Sequence, residues 1–537
     1  MNDTGLKFIA STQDVSALAE DYLCGKEALA AFFTSHYARK GIIEDMAGRL
    51  EGKFNREQAC RILSAQKTFA VVKDGKERLR QFVDRHGFIV ATGQQPVLFG
   101  GPLYILYKGL TAARLAASAQ EKLGVPVLPV FWNAGEDHDF AEVATVGLLD
   151  RQNRLVSLSL PEKGGLRQDS YQVNLGKEIE SLLDDLFRIL PDTEFRPWLY
   201  ELLASGYFPG TNLGMAFSEY LARLFAEYGI FMVDSCHPDL KKCCRDLFEA
   251  ELFDAGSSIE AFAESSRAVS GAGYHLQIKP SDSDTSLFLI RDGVRDKIRL
   301  GQEANEFVLK NTGAKLTSGE LEKFLRESPE SFSPGVLLRP LVEAQVFGTL
   351  CYVAGPGEIA YYAQMRGLYQ LRGLEMPAIF PRLSGILLED KIARILDKFA
   401  VDAGSLKKGA DALARELLGK KGNPARILAE SENLKSVIGA KMAAIGEVAG
   451  EIDPTLAGPV KSTGESLMDS LDRLEKKVTQ AAKKRDKILV DQLKKAQVHL
   501  WPGGKPQERE LAAVYYLARY ERELLHFLWE NIKIELK

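Results

Sequence analysis

The sequence predicts an α/β fold in which a parallel-sheet core is followed by an α-helical antiparallel coiled-coil arm. Between residues 81 and 384, short apolar runs typical of buried strands alternate with helical segments. Strand–helix–strand alternation of this kind implies a parallel sheet. After residue 384, Lys- and Glu-rich segments carry apolar residues at four- and three-residue steps. That spacing is typical of coiled-coil helices.

Composition excludes several classes of protein. The chain has 537 residues, enough for several domains, and 45% are hydrophobic and 26% charged, as in globular proteins. The net charge of −4 argues against a surface that coats nucleic acid. The start shows no secretory signal, no apolar run approaches the roughly 20 residues that span a bilayer, and the six cysteines are scattered. We therefore expect a cytoplasmic protein that binds neither membrane nor nucleic acid.

The core should follow an N-terminal helical segment. Residues 1–80 carry apolar side chains at helical spacing. In the core, residues 81–384, two apolar runs at 88–92 and 125–135 flank a helix of about twenty residues. Three later stretches repeat the pattern: 228–242, 349–373 and 376–384.

Two polar stretches, at about 150–200 and 265–330, are expected to be insertions between sheet strands. Residues 385–500 should form the arm, because two apolar stripes are separated by a proline-containing breaker. Two amphipathic helices lying on the core would give a similar pattern. Residues 501–537, which end in an apolar helix, should return to the core.

The loop after the first strand, in "TGQQPVLFGGPLYILYK", is a candidate binding site. Loops that leave the carboxyl ends of parallel strands line the ligand crevice of open α/β sheets. Gly100 and Gly101 precede a helix expected from about Pro102, and bare amides at a helix start suit a carboxylate or phosphate. A simple glycine turn with a surface lysine is the alternative. The polar candidates around this turn are Gln94, Gln95, Tyr104 and Lys108.

Four ionisable residues follow the second strand of the core: Glu136, Asp137, His138 and Asp139. Carboxylates with one imidazole suit a hard divalent metal ion. His138 could instead exchange protons, with its pKa set by the neighbouring carboxylates. A third interpretation is an ordinary helix start, where acidic residues favour the positive end of the helix dipole.

Two further stretches carry candidate binding residues. Arg339 follows a strand-like run, and an arginine fork binds carboxylate or phosphate at two points. A second glycine turn at 355–358 opens a helix and supplies Glu358 and Tyr361. In "WPGGKPQER" (501–509), glycines adjoin three polar side chains that would hold a phosphate or merely anchor the arm: Lys505, Gln507 and Arg509.

Taken together, these motifs resemble the bacillithiol synthase family, the BshC cysteine ligases. The resemblance rests on five stretches in order, from Thr92 to Arg509: "TGQQPVLFGGPLYILYK", "PVFWNAGEDHDFAEV", "LLRP", "GPGEIAYY" and "KPQER". It implies a Rossmann-like core with insertions, similar to class I aminoacyl-tRNA synthetases. It also implies a coiled coil through which the chain forms a homodimer.

The resemblance implies an activity as well. Cysteine would be joined through its carboxyl group to the amine of glucosaminyl-malate. ATP would be the co-substrate that activates the carboxylate, and Mg²⁺ could accompany it. The glycine turn would hold phosphate or carboxylate, and Gln94, Gln95 and Arg339 would select the sugar or malate. His138, oriented by Asp137 or Asp139, would take the proton of the attacking amine.

The chain departs from the synthetases in one respect. Their His-x-Gly-His and Lys-Met-Ser-Lys-Ser signatures, which act on ATP, do not occur in this sequence. A nucleotide site would have to be built otherwise, from Arg382, Ser384, Lys505, Gln507 and Arg509. Two other functions stay open: a metal-dependent hydrolase or transferase that uses Glu136–Asp139, and a non-catalytic scaffold that displays the coiled coil.

Overall fold

The computed structural model describes residues 5–11, 15–136, 140–161, 171, 173–303, 305–420 and 424–536. The chain divides into two compact units. The first consists of Met1–Leu387 together with Pro506–Lys537, and the second is Leu388–Lys505. Within the described residues, no helix is both long and apolar enough to cross a bilayer.

The N-terminal part of the first unit is mostly helical. Its helices bury one apolar side, as the spacing of their apolar residues predicts. One short strand precedes them. The elements are β1 (Leu6–Ala10), α1 (Ala17–Leu23), α2 (Ile42–Leu50), α3 (Arg56–Ala65) and α4 (Gly75–Asp84).

The first strand–helix–strand unit of the core follows. Every residue of its second strand is buried, as expected for a strand covered on both faces. The helix ends at Gly124, which has a φ of 68° and caps the last turn. The elements are β2 (Phe88–Gln94), α5 (Tyr104–Leu123) and β3 (Val127–Asn133).

The first insertion contains regular structure. Among the described residues, a short antiparallel hairpin and four α-helices separate the second and third core strands. The elements are α6 (Phe140–Val143), β4 (Thr145–Leu149), β5 (Leu155–Ser159), α7 (Glu178–Ile189), α8 (Arg196–Ala204), α9 (Leu213–Leu224) and the core strand β6 (Phe231–Asp234).

The second insertion carries its own antiparallel sheet, which the irregular polar pattern did not reveal. Five strands pair in the order β10-β9-β8-β7-β11. The elements from the third core strand onward are α10 (Pro238–Cys243), α11 (Arg245–Phe253), α12 (Ala255–Gly271), β7 (Asp284–Arg291), β8 (Val294–Leu300), β9 (Glu306–Leu309), β10 (Lys315–Thr317), α13 (Ser318–Glu327) and β11 (Phe332–Pro334).

The last two core strands alternate with short helices. In chain order these elements are α14 (Arg339–Phe347), β12 (Thr349–Ala354), α15 (Pro356–Tyr362), α16 (Arg366–Leu371), β13 (Ala378–Pro381) and β14 (Gly385–Glu389). β12 is buried throughout. Its carboxyl end leads directly into α15, as β2 leads towards α5.

The five core strands are parallel and confirm the predicted fold class. Their spatial order is β13-β12-β2-β3-β6, so the strand that comes first in the chain lies in the middle. The strands that follow β2 in the chain, β3 and β6, are added on one side of it, and the later strands β12 and β13 are added on the other side. The order in which strands are added therefore switches sides between β2 and β12. In open α/β sheets, ligands bind outside the carboxyl ends of the strands at this switch point.

The second unit is helical and contains two long helices joined by a tight connection. Its helices are α17 (Asp390–Phe399), α18 (Ala410–Lys420), α19 (Pro424–Ile452) and α20 (Ala457–Leu500). Pro454 lies in the connection, where it ends the helical run as the breaker predicts. The long pair confirms the coiled-coil arm.

After the arm, the chain re-enters the first unit with three helices: α21 (Gln507–Glu510), α22 (Ala513–Tyr520) and α23 (Glu523–Asn531). α22 is buried along most of its length. A backbone hydrogen bond from Leu103 to Leu511 ties this segment to the entry of α5.

Candidate active site

A cavity of about 330 Å³ opens in the first unit at the switch point of the sheet. Its walls come from the end of β2, from the turn that opens α15 and from the first turns of α5 and α14. The lining residues that carry polar side chains include Gln94, Gln95, Lys108, Gln277, Arg339, Glu343, Glu358, Arg382 and Arg509. Because the fold rule and the cavity agree on one place, we take it as the candidate active site.

A buried ion pair closes one side of the cavity. Lys108 Nζ lies 2.6 Å from Glu358 Oε2 and donates to Gly93 O at 2.6 Å and to Gln94 Oε1 at 3.2 Å. Burial lowers the pKa of Lys108, and Glu358 opposes that effect. The three acceptors match the three donors of an ammonium group, so Lys108 holds the end of β2 against α15.

Glu358 is held from three directions. Its Oε2 accepts a hydrogen bond from the Gly355 amide at 2.7 Å, and its Oε1 accepts one from the Tyr352 hydroxyl at 2.8 Å. Together with Lys108, these contacts occupy both carboxylate oxygens. Glu358 therefore orders the glycine turn after β12.

Two ionisable side chains, Arg339 and Glu343, lie one turn apart on α14. Among the described residues, the Arg339 guanidinium makes no hydrogen bond or ion pair, although it lines the cavity. Glu343 is buried. Burial, with a smaller contribution from the charge of Glu358, raises the pKa of Glu343 to about 8. Thr349 Oγ1 donates to its Oε1 at 3.3 Å, which opposes the rise. The cavity thus contains a cation free to bind an anion and a carboxyl group whose pKa burial raises.

Aromatic rings form a second wall. The rings of Tyr361 and Tyr362 are stacked with their centroids 5.1 Å apart, and Tyr352 and Tyr362 lie 5.2 Å apart. Trp132 also lines the cavity, and its buried indole N–H has no hydrogen-bond partner among the described residues. This wall offers polarisable surface of the kind that packs well against sulfur.

The predicted nucleotide residues divide into two groups. Arg382 and Arg509 line the cavity, and the Arg382 guanidinium lies 5.3 Å from the centre of the Tyr104 ring. Arg382 also donates to Glu508 Oε1 at 2.7 Å. The Ser384 hydroxyl donates to the same carboxylate at 2.9 Å.

Gln507 and Lys505 lie outside the described cavity lining. The Gln507 side chain accepts from the Leu387 amide at 2.8 Å and donates to the Leu387 carbonyl at 3.0 Å. This bidentate pairing attaches the returning chain to the strand after the core. Lys505 is exposed and belongs to the second unit.

Of the acidic run after β3, only the first member is described. Glu136 is buried in an ion pair with Lys241, whose pKa burial lowers strongly. Asp137, His138 and Asp139 lie outside the described residues. Within the described part of the chain, no group of three His, Cys, Asp or Glu side chains could hold a metal ion.

Gly100 and Gly101 are packed inside the first unit and do not line the cavity. Both have positive φ values, 79° and 67°. The Gly100 amide donates to Val97 O and to the Tyr207 hydroxyl, each at 3.1 Å, and Gly101 donates to Leu98 O at 3.0 Å. A Cβ on Gly100 would lie 2.2 Å from the Tyr220 ring. The structure shows these glycines in a tight turn, and the helix begins at Tyr104 instead of Pro102.

Nine of the sequence-predicted residues meet around the cavity: Gln94, Gln95, Tyr104, Lys108, Arg339, Glu358, Tyr361, Arg382 and Arg509. Four further lining residues were not singled out from the sequence: Trp132, Gln277, Glu343 and Tyr352. A signal for Glu343 existed, because residues four apart share one face of a helix and Arg339 was already a candidate.

An open parallel sheet with a polar cavity at its switch point defines a Rossmann-like protein with a small-molecule site. Comparison with known proteins gives the family. The BshC N-terminal Rossmann-like domain of bacillithiol biosynthesis matches residues 5–383, and the BshC C-terminal coiled-coil domain matches residues 385–535. The chain belongs to the bacillithiol biosynthesis BshC family.

Curated relatives agree over most of their length. A protein of Salinibacter ruber is 35% identical over 466 residues, which cover 86% of this chain and 84% of the relative. One from Chlorobaculum tepidum is 32% identical and covers 95% and 93% of the two chains. One from Anoxybacillus flavithermus is 28% identical over 86% of this chain and 85% of its own. Each is named, provisionally, a cysteine ligase BshC.

Proposed function

We propose that this chain is a cysteine ligase of bacillithiol biosynthesis. It joins the carboxyl group of cysteine to the amine of glucosaminyl-malate and so forms an amide bond. Both family domains and the names of relatives that span most of the chain support this activity. The cavity at the switch point is where we place the reaction.

The observation that carries the proposal is the unpaired Arg339 guanidinium in that cavity. A buried or half-buried cation without a partner is costly unless a ligand supplies the opposite charge. The malate part of the acceptor carries carboxylates, and an arginine fork binds a carboxylate at two points. Arg339 therefore holds the malate end, while Gln94 and Gln95 at the end of β2 contact the neighbouring polar groups.

Amide formation needs an activated carboxyl group, and we propose ATP as the co-substrate that supplies it. Arg382 and Arg509 lie at the cavity, and the exposed Arg509 side chain makes no hydrogen bond or ion pair among the described residues. These guanidinium groups suit the phosphates of a nucleotide, with Mg²⁺ as an accompanying ion. Ser384, Lys505 and Gln507 remain proposed members of the nucleotide site on sequence grounds.

We also propose that the chain acts as a homodimer in the cytoplasm. The arm exposes apolar side chains along α19, among them Ile445 at 52%, Val448 at 59% and Ile452 at 77%. A second copy would cover them. All six cysteines are free thiols, which fits a reducing compartment.

Two measurements test the proposed activity. In a strain that makes bacillithiol, deletion of the gene should remove this thiol and lead to accumulation of glucosaminyl-malate, as detected by thiol labelling and mass spectrometry. The purified chain with ATP, cysteine and glucosaminyl-malate should then form the amide. An unchanged thiol pool would contradict the proposal, and activity lost with a chelator in the absence of ATP would favour a metal-dependent hydrolase.

A further inference from the structure

Glu343 is a buried carboxyl group of the cavity that the contacts described above leave largely unused. It lies on α14 with 4% of its surface exposed and lines the cavity. Its one described hydrogen bond is the long contact from Thr349, at 3.3 Å. A buried carboxyl group with so few partners calls for an explanation beyond stability, because burial without compensation is unfavourable.

The other carboxyl group of the cavity behaves differently. Glu358 has Lys108, the Gly355 amide and Tyr352 on its two oxygens, so both oxygens are occupied and the side chain orders the turn. Glu343, with no ion pair among the described residues, can change its protonation state without dismantling the wall.

The charges around Glu343 come from several elements. Arg339 on the same helix and Lys108 on α5 favour the ionised form, and Glu358 on α15 disfavours it. The net effect of burial and these charges is a pKa of about 8. The neighbouring hydroxyl groups that feel the charge of Glu343 belong to Tyr352, Tyr361, Tyr362 and Tyr369.

Such a group is suited to exchange a proton with an amine. Amino groups next to electron-withdrawing substituents have pKa values of about 8. General base catalysis works best when the pKa of the base lies near the working pH. A cationic anchor, Arg339, lies one helical turn from Glu343, so an acceptor held by its carboxylate would present its amine within the same cavity.

We propose that Glu343 is the general base of the ligation step, an inference that rests on the proposed function. The amine nitrogen attacks the carbonyl carbon of a mixed carboxylic–phosphoric anhydride of cysteine. The phosphoryl part of that anhydride comes from a nucleoside triphosphate. The new C–N bond forms as the C–O bond to the phosphoryl group breaks, and the electron pair leaves with that oxygen. The Glu343 carboxylate takes the proton that the nitrogen releases.

The test compares two nucleophiles on the purified full-length chain. Hydroxylamine is largely unprotonated at neutral pH, so it traps activated cysteine as the hydroxamate without needing a base. In Glu343→Gln, amide formation with glucosaminyl-malate should fall by about 10²–10⁴-fold, and hydroxamate formation should fall far less. Glu343→Asp should restore part of the amide formation.

The pH profile supplies a readout that a merely structural role would not move. Below the pKa values of both amine and base, log kcat/KM of the wild-type chain should fall by about two units per pH unit, and that of Glu343→Gln by about one. Glu251→Gln is the matched control. Glu251 is as buried, at 2%, but it accepts from the Ser258 hydroxyl and the Ser286 amide, lies 3.6 Å from the Arg372 guanidinium and does not line this cavity.

The outcomes separate this inference from the proposed function. If the wild-type chain forms the amide but Glu343→Gln keeps both the rate and the slope of two, Glu343 is not the base, while the ligase activity stands. Equal loss of amide and hydroxamate would also overturn the role of Glu343 as the base. A slope of two that persists in Glu343→Gln and falls to one in His138→Gln would assign the proton to His138. If the wild-type chain makes neither product, the proposed function itself is wrong.

Discussion

Lys108 Nζ and Glu358 Oε2 lie 2.6 Å apart across the switch point of the sheet. Lys108 belongs to the helix that follows the first core strand, and Glu358 to the helix that follows the fourth. Their side chains are 4% and 18% exposed. The pair therefore joins two segments that are 250 residues apart in sequence and fixes the shape of the cavity between them.

Lys108→Met should destabilise the first unit by about 3 kcal/mol, because it leaves a half-buried carboxylate without its cation. The unfolding midpoint in urea, followed by tryptophan fluorescence, measures this. The double variant Lys108→Met/Glu358→Gln should recover part of the lost stability, because no charge is then left alone. Additive losses in the double variant would show that the two side chains do not act as a pair.

The stability of the chain should fall with rising pH because of Glu343. Its pKa is about 8 in the folded chain and 4.5 without the protein environment. Between these values the folded state binds a proton that the unfolded state lacks. Stability due to this group is therefore complete at low pH and is lost at about 1.4 kcal/mol per pH unit as pH rises towards 8.

Urea midpoints of the wild-type chain and of Glu343→Gln, measured between about pH 5 and 8, check this slope. The neutral glutamine should lack it, so the variant should gain stability relative to wild type as pH rises. Thr349→Val removes the hydrogen bond that lowers the pKa of Glu343, so it should shift the pH range over which stability is lost to higher pH. Parallel pH curves for all three chains would show that Glu343 is already ionised at neutral pH.

The sequence allowed the core to be predicted because buried parallel strands leave a strong local signal. The runs at 88–92 and 125–135 coincide with β2 and β3, and the breaker near Pro454 separates α19 from α20. The antiparallel sheet of the second insertion was not predicted. Its strands β7 and β8 form a hairpin across Asp292-Gly293, a local turn signal that the sequence analysis did not use. The pairing of β7 with the distant strand β11 is not visible in any short stretch of sequence.

The candidate site was predictable where a residue follows a strand, and less so elsewhere. Gln94 is the last residue of β2, and Glu358 lies in the first turn of the helix that follows β12, so the fold rule alone brings them together. Trp132 lies inside a buried strand, where an aromatic residue is usually core. Gln277 enters from an insertion whose position the sequence does not give. Gly100 and Gly101 were predicted to bind an anion because a tightly packed turn and an anion-binding turn both favour glycine.

Arg339→Lys should raise KM for the acceptor by about 10-fold or more and leave stability unchanged. The guanidinium has no described partner in the free chain, so its loss removes no intramolecular contact, whereas lysine cannot form a two-point contact with a carboxylate. Steady-state kinetics and thermal unfolding measure the two quantities. The opposite result, lower stability with normal KM, would make Arg339 a structural residue.

Arg295→Lys is the matched control for that experiment. Arg295 is 4% exposed, donates to Ser333 Oγ at 2.8 Å and to Pro334 O at 3.3 Å, and lies 3.6 Å from the centre of the Phe288 ring. Its replacement should cost about 1–3 kcal/mol of stability and leave KM as it is.

Gly100→Ala separates packing from anion binding at the first glycine turn. The added Cβ would lie 2.2 Å from the Tyr220 ring, and the φ of 79° strains any side chain, so we expect a loss of at least about 2 kcal/mol. Gly124→Ala has a similar φ of 68° but nothing within 4 Å of the new Cβ, so it should cost only about 1 kcal/mol. If Gly100→Ala keeps normal stability but loses ligation, the turn takes part in binding.

The apolar stripe of α19 should hold two copies of the chain together. Ile445, Val448 and Ile452 follow three- and four-residue steps, so they lie on one side of the helix, and each is more than half exposed within a single copy. Ile445→Glu/Val448→Glu should therefore convert a dimer into a monomer in light scattering after size exclusion, because two buried carboxylates oppose association.

Glu447→Lys, on a different side of α19, should stay dimeric. If the wild-type chain is a monomer, or if both variants remain dimeric, the stripe is not the interface. A monomeric variant that keeps its ligase activity would further show that each cavity works alone, as its lining by residues of one unit predicts.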